Sequence, residues 1–599
     1  MKILLLLSIL SYSVAEIHKS DDVDLLKNGL TELLTTGVAP QYFKDVAKRH
    51  QLDLSFSKPP SLMGLSAIDT CDLCGKFVNV VMTMRHIIPE FILKNTIVGA
   101  CEELKIEANR VCSGVIDPQL DVIFYILKNG KDVKAEKFCT LLLGSSCHNE
   151  FDYFNWTIDI PPKPSKLPEK IASRSSKNIR ILQVSDLHYD PRYTAGSSAA
   201  CGEPLCCQDD QGAASDPNDA CGIWGDYRNA DTSRKVLDEA LRHMSTQEVD
   251  YVYFTGDIIS HRVWSTSEAK NLETEREVLD LLRNTFNVPV LFVLGNHEPH
   301  PVNMYAPEEI KTNGLSTKWL FDILAEELKG LISENALKTS EKGGFYTLTL
   351  RPGFRVVVLN NNVCGKDNLW LAYDSFDPYG QLTWLVQVLE EAERNGEYVH
   401  ILHHIPSGHH SCLGTWSREF VKIINRFSET INGQFNGHTH WDEFFLYFDE
   451  SDPSKATNVA FNGASLTTYS SNNPSYKIYD IDPQNYKVVN FEEWTFNLTA
   501  ANLQPEKPTV DWYKLYSFRE TYGVSSMEPK EINELLTRMI KDKSLLQIYH
   551  KYKFRMGSDG YCNDDCHKSN LCRIVTSNVA DSYHCDEIMR KYDEQNKLT

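Results

Sequence analysis

At 599 residues, 42% of them hydrophobic, the chain is several times the usual domain size and can fill more than one core. Its 61 Lys and Arg stand against 81 Asp and Glu, a formal net charge of -20, which argues against a nonspecific nucleic-acid binder because no cationic excess exists to replace phosphate counterions. Sixteen cysteines, an even number, point to disulfides in an oxidising compartment with no obligatory free thiol.

The chain opens with Lys2, an apolar run from Ile3 to Leu10, and Ser13-Val14-Ala15 as a small-residue cleavage site. Residues 1–15 therefore read as a secretory signal peptide; the run falls short of the ~20 residues that span a bilayer, and no later run reaches that length. Residues 16–67 carry one amphipathic stretch, Asp21 to Leu34, and a breaker-rich region with Lys58-Pro59-Pro60-Ser61, as in an N-terminal extension or propeptide. Residues 68–150 then hold Cys71, Cys74, Cys101, Cys112, Cys139 and Cys147, with helical apolar spacing at Phe77, Val80, Val81 and Met84. This predicts a small stapled helical module whose pairing the sequence alone leaves open. Cys71-Asp72-Leu73-Cys74 lacks a second ligand pair and stands outside any strand-helix unit, against a zinc or redox site.

Within 151–177, prolines at 161, 162, 164 and 168 among lysines and serines predict an extended connector, the clearest domain boundary. Residues 178–496 alternate short apolar runs with amphipathic segments such as Thr232 to Met244 and Ser267 to Phe286, an α/β pattern. From about Asn497 the strands stop, helical spacing takes over at Glu528 to His550, and Cys562, Cys566, Cys572 and Cys585 follow, giving a helical C-terminal domain over 497–599. Asn155-Trp156-Thr157 and Asn497-Leu498-Thr499 are acceptors for N-glycosylation where they lie on the surface.

Five apolar runs lead into ligand-type residues. Ile179 to Val184 precedes Asp186 and His188, Tyr251 to Phe254 precedes Gly256-Asp257, and Val290 to Leu294 precedes Gly295-Asn296-His297-Glu298. Tyr398 to Leu402 precedes His403-His404, and Gln434 to Asn436 precedes Gly437-His438-Thr439-His440. One Asp or His after a strand is ordinary turn chemistry, whereas five in succession mark the carboxyl ends of strands, where open α/β sheets build their sites. Carboxylate, imidazole and amide oxygen suit borderline divalent cations, and six or seven ligands exceed one tetrahedral ion, so two metals sharing a carboxylate is the natural count.

These blocks, in this order, resemble the calcineurin-like metallophosphoesterases. The resemblance implies an α/β metallophosphoesterase sandwich, two central β-sheets flanked by helices, with Asp186, His188 and His440 on the first metal, Asp257 bridging, and Asn296, His404 and His438 on the second. His403 is not needed by the pattern and is expected on the other face of its strand. The six-cysteine module resembles saposin B-type domains, which implies Cys71 with Cys147, Cys74 with Cys139 and Cys101 with Cys112. Module, linker, catalytic region and cysteine-bearing tail together resemble the acid sphingomyelinase family, as do Gly256-Asp257-Ile258-Ile259-Ser260-His261, His404-Ile405-Pro406-Ser407-Gly408-His409 and Thr467-Thr468-Tyr469. That implies Cys201 with Cys206, Cys207 with Cys221, Cys364 with Cys412, Cys562 with Cys566, and Cys572 with Cys585, with other short-range pairings in the 201–221 group left open.

The reaction implied is hydrolysis of sphingomyelin to ceramide and phosphocholine, by a hydroxide held between two Zn2+ ions. His261 and His297 are candidates for the acid that protonates the departing alkoxide, or for orienters of a ligand or the phosphate, and Tyr469 for a substrate contact or a buried structural tyrosine. The expected partner is sphingomyelin in a membrane surface, met peripherally through the saposin-like module by a secreted or lysosomal monomer without a transmembrane segment. A soluble-nucleotide phosphodiesterase of the sphingomyelinase-like branch lacks the six-cysteine module. A purple acid phosphatase carries a metal-binding tyrosine where Ser260 stands here. A non-catalytic lipid-binding protein would not need the intact ligand set.

Overall fold

A computed structural model of the chain describes residues 89–597 apart from 104, 145–146, 172–175, 470 and 558–559, with isolated positions before residue 89. The expected signal peptide over 1–15, most of the extension over 16–67 and the spacing residues Phe77, Val80 and Met84 lie outside the described residues. Of the Asp21 to Leu34 stretch, Leu25, Asn28, Gly29 and Glu32 are described and helical.

The N-terminal module contains α1 (Glu90–Glu103), α2 (Asn109–Asn129) and α3 (Ala135–Leu143). Disulfides Cys71–Cys147, Cys74–Cys139 and Cys101–Cys112 staple it. Residues 157–171 then run without helix or strand, as four prolines in that span dictate.

The catalytic region contains strands β1 (Ile179–Val184), β2 (Tyr251–Phe254), β3 (Val290–Phe292), β4 (Tyr346–Arg351), β5 (Phe354–Val358) and β6 (Tyr398–Leu402). After them come β7 (Ile431–Asn436), β8 (Phe444–Phe448), β9 (Ala456–Asn462), β10 (Ser475–Ile481), β11 (Val488–Thr495) and β12 (Tyr513–Ser517). They form two six-stranded mixed sheets, ordered β12-β11-β10-β1-β2-β3 and β4-β5-β6-β7-β9-β8. β1, β2 and β3 are parallel in the first, and β5, β6, β7 and β9 in the second. Leu182, Val184 and Phe254 of one sheet share a core with Val356, Val358, Leu402 and Phe435 of the other. Alternate residues Val357, Val399 and Ile401 point away from it, to helices α8 (Gln381–Arg394) and α9 (Gly414–Arg426), through Leu385, Leu389, Phe420 and Ile424. The period of two along each strand thus buries both faces of the second sheet.

The expectation that strands stop at about Asn497 is corrected by β12, which pairs antiparallel with β11 through Glu492, Glu493, Trp494 and Thr495. Tyr513-Lys514-Leu515-Tyr516-Ser517 is a short edge strand, exposed at Tyr513 and Lys514, so it carries little of the apolar signal that marks a buried strand. Helices at Pro529–Lys541, Lys543–Lys553, Asp564–Val575 and Tyr583–Lys597 follow, the first two covering the helical spacing at Glu528 to His550 and separated at Asp542. Their buried Leu535, Leu536, Met539, Leu546, Leu571 and Ile574 join the inter-sheet core, and Cys562–Cys566 and Cys572–Cys585 close the tail.

α2 packs on the catalytic region through Tyr125 against Trp370 and, most closely, at Gly114. A Cβ on Gly114 would come 1.9 Å from the Trp264 carbonyl oxygen, so only glycine allows the approach. Beside it Arg110 pairs with Glu203 at 2.6 Å and Asp210 at 2.7 Å, and Val111 and Val115 pack with Leu205 and Trp264.

Candidate metal centre

The carboxyl ends of β1, β2, β3, β6 and β7 face one another, and each turn that leaves them carries candidate ligands. Asp186, His188, Asp257, His438 and His440 all adopt left-handed backbone, φ 50, 40, 63, 74 and 61°. Non-glycine residues avoid that region at a cost of about 1–3 kcal/mol each, so five in one cleft mark a site whose surroundings over-determine it.

The seven candidate side chains are brought together. Asp186, His188, Asp257 and His440 place one ligand atom each within 4.8 Å of one another. His188 Nδ1 donates to the Ile259 carbonyl at 2.8 Å, and His440 Nδ1 to the Tyr469 carbonyl at 2.7 Å. A carbonyl only accepts, so each ring presents a bare Nε2, and these two lone pairs lie 3.0 Å apart. Two acceptors held face to face repel unless a cation lies between them. His404 repeats the design: Nδ1 donates to the Thr255 carbonyl at 2.8 Å, and Nε2 faces Asn296 Oδ1 at 3.0 Å and Asp257 Oδ2 at 3.1 Å. Asn296 Nδ2 donates to Asn303 at 2.9 Å, which fixes Oδ1 toward His404 and, at 2.9 Å, toward His438 Nδ1. Carbonyl-anchored imidazoles are the usual support of metal ligands, and the donor set fits a divalent pair.

Asp257 lies between the two sets, its Oδ2 also 3.4 Å from His188 Nε2, while Oδ1 accepts the His297 amide at 2.9 Å. Burial raises the Asp257 carboxyl, but His404, His297 and His188 outweigh it and hold it well below its ordinary range. Burial pushes Asp186 up to about 7 even though His404 opposes it. Asp186 keeps a Ser185 hydroxyl and the His438 amide as donors. Close backbone approach makes this packing possible: a Cβ on Gly437 would lie 2.1 Å from Ser185 Oγ and 2.7 Å from Asp186 Oδ2.

His261 stands beside this centre, its ring 4.0 Å from that of His188 and stacked on Tyr469 at 4.2 Å and 11°. Its Nδ1 meets Asp231 at 2.9 Å, and its amide donates to the same carboxylate at 2.6 Å. Burial lowers His261, but Asp231 more than compensates and its affinity for a proton is raised. His297, 4.7 Å from both His188 and His261, has no such partner, and burial pushes it down to about 4. The Tyr469 hydroxyl donates to the Pro204 carbonyl at 3.3 Å. His403 turns away and packs on Phe420, its Nδ1 2.9 Å from the Ile405 carbonyl.

Residues 179–442 match the family model of the calcineurin-like phosphoesterases, and residues 455–593 that of the acid sphingomyelin phosphodiesterase C-terminal region. The chain is 36% identical to the sphingomyelin phosphodiesterase of Bos taurus over 521 residues, 85% of this chain and 82% of the relative. It is 34% identical to that of Homo sapiens, covering 87% and 83%, and 31% identical to sphingomyelin phosphodiesterase 1 of Caenorhabditis elegans, covering 79% and 85%. The chain belongs to the acid sphingomyelinase family.

Three side chains in this family member escaped the sequence reading. Asp231, 1% exposed, also accepts from Thr467 Oγ1 at 2.9 Å. Two residues before the Ser233 cap of helix α4 (Arg234–Met244), it passes for capping chemistry. Asn361 Oδ1 accepts the His404 and Ile405 amides at 3.0 Å, and Asn303 orients Asn296; neither adjoins a ligand block, so only the fold reveals them.

Proposed function

We propose that the chain is a secreted or lysosomal monomeric phosphodiesterase that hydrolyses sphingomyelin to ceramide and phosphocholine with two zinc ions. The Asp257 carboxylate carries this reading, because its Oδ2 lies 3.4 Å from His188 Nε2 and 3.1 Å from His404 Nε2. Asp186, His188 and His440 would share it on one ion, and Asn296, His404 and His438 on the other. Such a pair, when bound, supplies Lewis acidity to a phosphodiester and lowers the pKa of water. Nitrogen and oxygen donors without thiolate suit zinc, and the family resemblance favours it.

The chain's own residues supply the rest. Ceramide leaves as an alkoxide, a poor leaving group, so a proton must reach its oxygen as the bond to phosphorus breaks. His261 is the proposed donor: Asp231 occupies Nδ1, stabilises the imidazolium and leaves the other ring nitrogen to meet the departing oxygen. His297 holds Asp257 through its amide and offers its ring to a phosphoryl oxygen. Tyr469 forms the wall that keeps the His261 ring in place beside the substrate.

The module over 68–150 is proposed to meet the bilayer, since Phe91 and Ile92 in the first turn of α1 are 64% and 41% exposed. The boundaries at 150, 177 and 496 are proposed as those of module, linker and catalytic domain, with β12 contributed by the C-terminal domain. Asn155 and Asn497 are both exposed, as glycan acceptors must be.

Sphingomyelin vesicles and nucleotide phosphodiesters assayed near pH 5 and 7, with and without chelator, test the function. Zinc-restorable turnover of sphingomyelin is expected; turnover of nucleotides alone would replace this reading with the soluble-phosphodiesterase one.

A further inference from the structure

The side chain of Arg555, in the C-terminal helical region, reaches the loops that underlie the catalytic cleft. Arg555 follows α11 (Lys543–Lys553), the helix that succeeds α10 (Pro529–Lys541), in a turn where Arg555 and Met556 take φ 48 and 63°. Its side chain is fully buried. A guanidinium without solvent must find protein acceptors for its donors, and those chosen here are informative.

Nη1 donates to the carbonyl of His440 at 2.6 Å, 115 residues away in sequence, and to that of Lys553 at 3.1 Å. Nη2 donates to Ser465 Oγ at 3.0 Å and Nε to the Asn473 carbonyl at 3.1 Å, while Asn473 Nδ2 returns a bond to the Arg555 carbonyl at 2.9 Å. Two loops are therefore tied by one fork. The loop of His440 carries a proposed ligand. The 465–473 loop supplies the Tyr469 carbonyl that anchors the His440 ring and the Tyr469 ring that stacks on His261. It also supplies Thr467, which donates to Asp231, the partner of His261. Ser465 Oγ donates in turn to the Thr467 carbonyl at 2.8 Å, completing a path from Arg555 to Asp231.

We infer that Arg555 is a positioning residue that sets both the His440 ligand and the Asp231–His261 pair, so that the C-terminal region is part of the catalytic apparatus. The inference rests on the two-metal hydrolase reading. Burial weakens the Arg555 cation, lowering it to about 10 against the pull of Glu493, Asp442 and Asp186, so it stays charged at neutral and acidic pH. A planar fork satisfies four separate acceptors at fixed angles, a task that a lysine ammonium does only in part.

The experiment compares the full-length chain with Arg555→Met and Arg555→Lys. Tyr592→Phe serves as control, since it removes the bonds of Tyr592 to His567 and Asp564 within the C-terminal region and touches no part of the cleft. The readouts are kcat and KM on a soluble chromogenic phosphodiester, zinc per chain after dialysis against graded chelator, and thermal midpoint. Arg555→Met is expected to lose about 10- to 100-fold in kcat with KM little changed, and to release zinc at a lower chelator concentration, as loss of a ligand's outer support does. Added guanidinium chloride at low, non-denaturing concentration is expected to recover part of kcat, and Arg555→Lys to fall between the two. Tyr592→Phe should lower the thermal midpoint while leaving kcat per folded chain unchanged. The inference is overturned if Arg555→Met, at equal zinc content, keeps wild-type kcat, or if its deficit disappears on normalising to folded protein. Should the wild-type chain itself bind no zinc and ignore chelator, the two-metal reading falls and this inference with it, an outcome distinct from failure of Arg555 alone.

Discussion

At the residue scale, His261 shows how a single carboxylate can set a proton donor. Its folded-state affinity is raised because Asp231, 2.9 Å away, outweighs burial. A donor must be protonated, so activity is present below the raised value and fades as pH climbs through it. Asp231→Asn removes the attraction and leaves the burial, so the alkaline limb of kcat on a soluble phosphodiester should move down by about 1 pH unit or more. Its plateau should fall by about 100-fold, the scale of general acid catalysis. An unmoved limb would pass the donor's role to another group, His297 first. Gly437→Ala inserts a methyl 2.1 Å from Ser185 Oγ and 2.7 Å from Asp186 Oδ2, so Asp186 must shift. Overpacking of this kind costs about 1–3 kcal/mol, so the variant should fold yet hold less zinc than wild type by elemental analysis.

At the element scale, the strand ends explain what was legible in advance. Parallel strands buried on both faces read as continuous apolar runs, and ligands at their carboxyl ends stay contiguous in sequence, which is why the seven candidate residues stood out. Asp231, Asn303 and Asn361 act through backbone and side-chain bonds across the fold, and nothing in their local sequence distinguishes them from caps and turns. β12 was missed because it is a short edge strand with two of its five residues exposed. In the module, Phe91 and Ile92 are exposed on α1, the helix that buries Leu93, Ile97 and Val98. Replacing both by Glu should leave turnover of a soluble substrate intact and cut vesicle hydrolysis by about 10-fold or more, because insertion of apolar surface into the interface is lost. Equal rates on vesicles would remove the module from lipid contact.

At the scale of the whole molecule, one centre is built from both sheets, β1, β2 and β3 on one side and β6 and β7 on the other, with the C-terminal region beneath it. Without cations, Asp186 and Asp257 and the facing Nε2 atoms of His188 and His440 are a store of repulsion at the seam of the sandwich. Anything that binds the folded chain alone stabilises it by mass action, about 2.7 kcal/mol per site at a hundredfold excess over Kd. Two zinc ions should therefore raise the thermal midpoint by about 10 °C over chelated protein, taking a few degrees per kcal/mol. Protons compete with metal for the imidazoles, so the gap should be wider near pH 7 than near pH 5. Scanning calorimetry at the two pH values, with zinc and with chelator, measures both quantities. A midpoint indifferent to chelator at neutral pH would mean that the sandwich is joined at this seam by something other than metal.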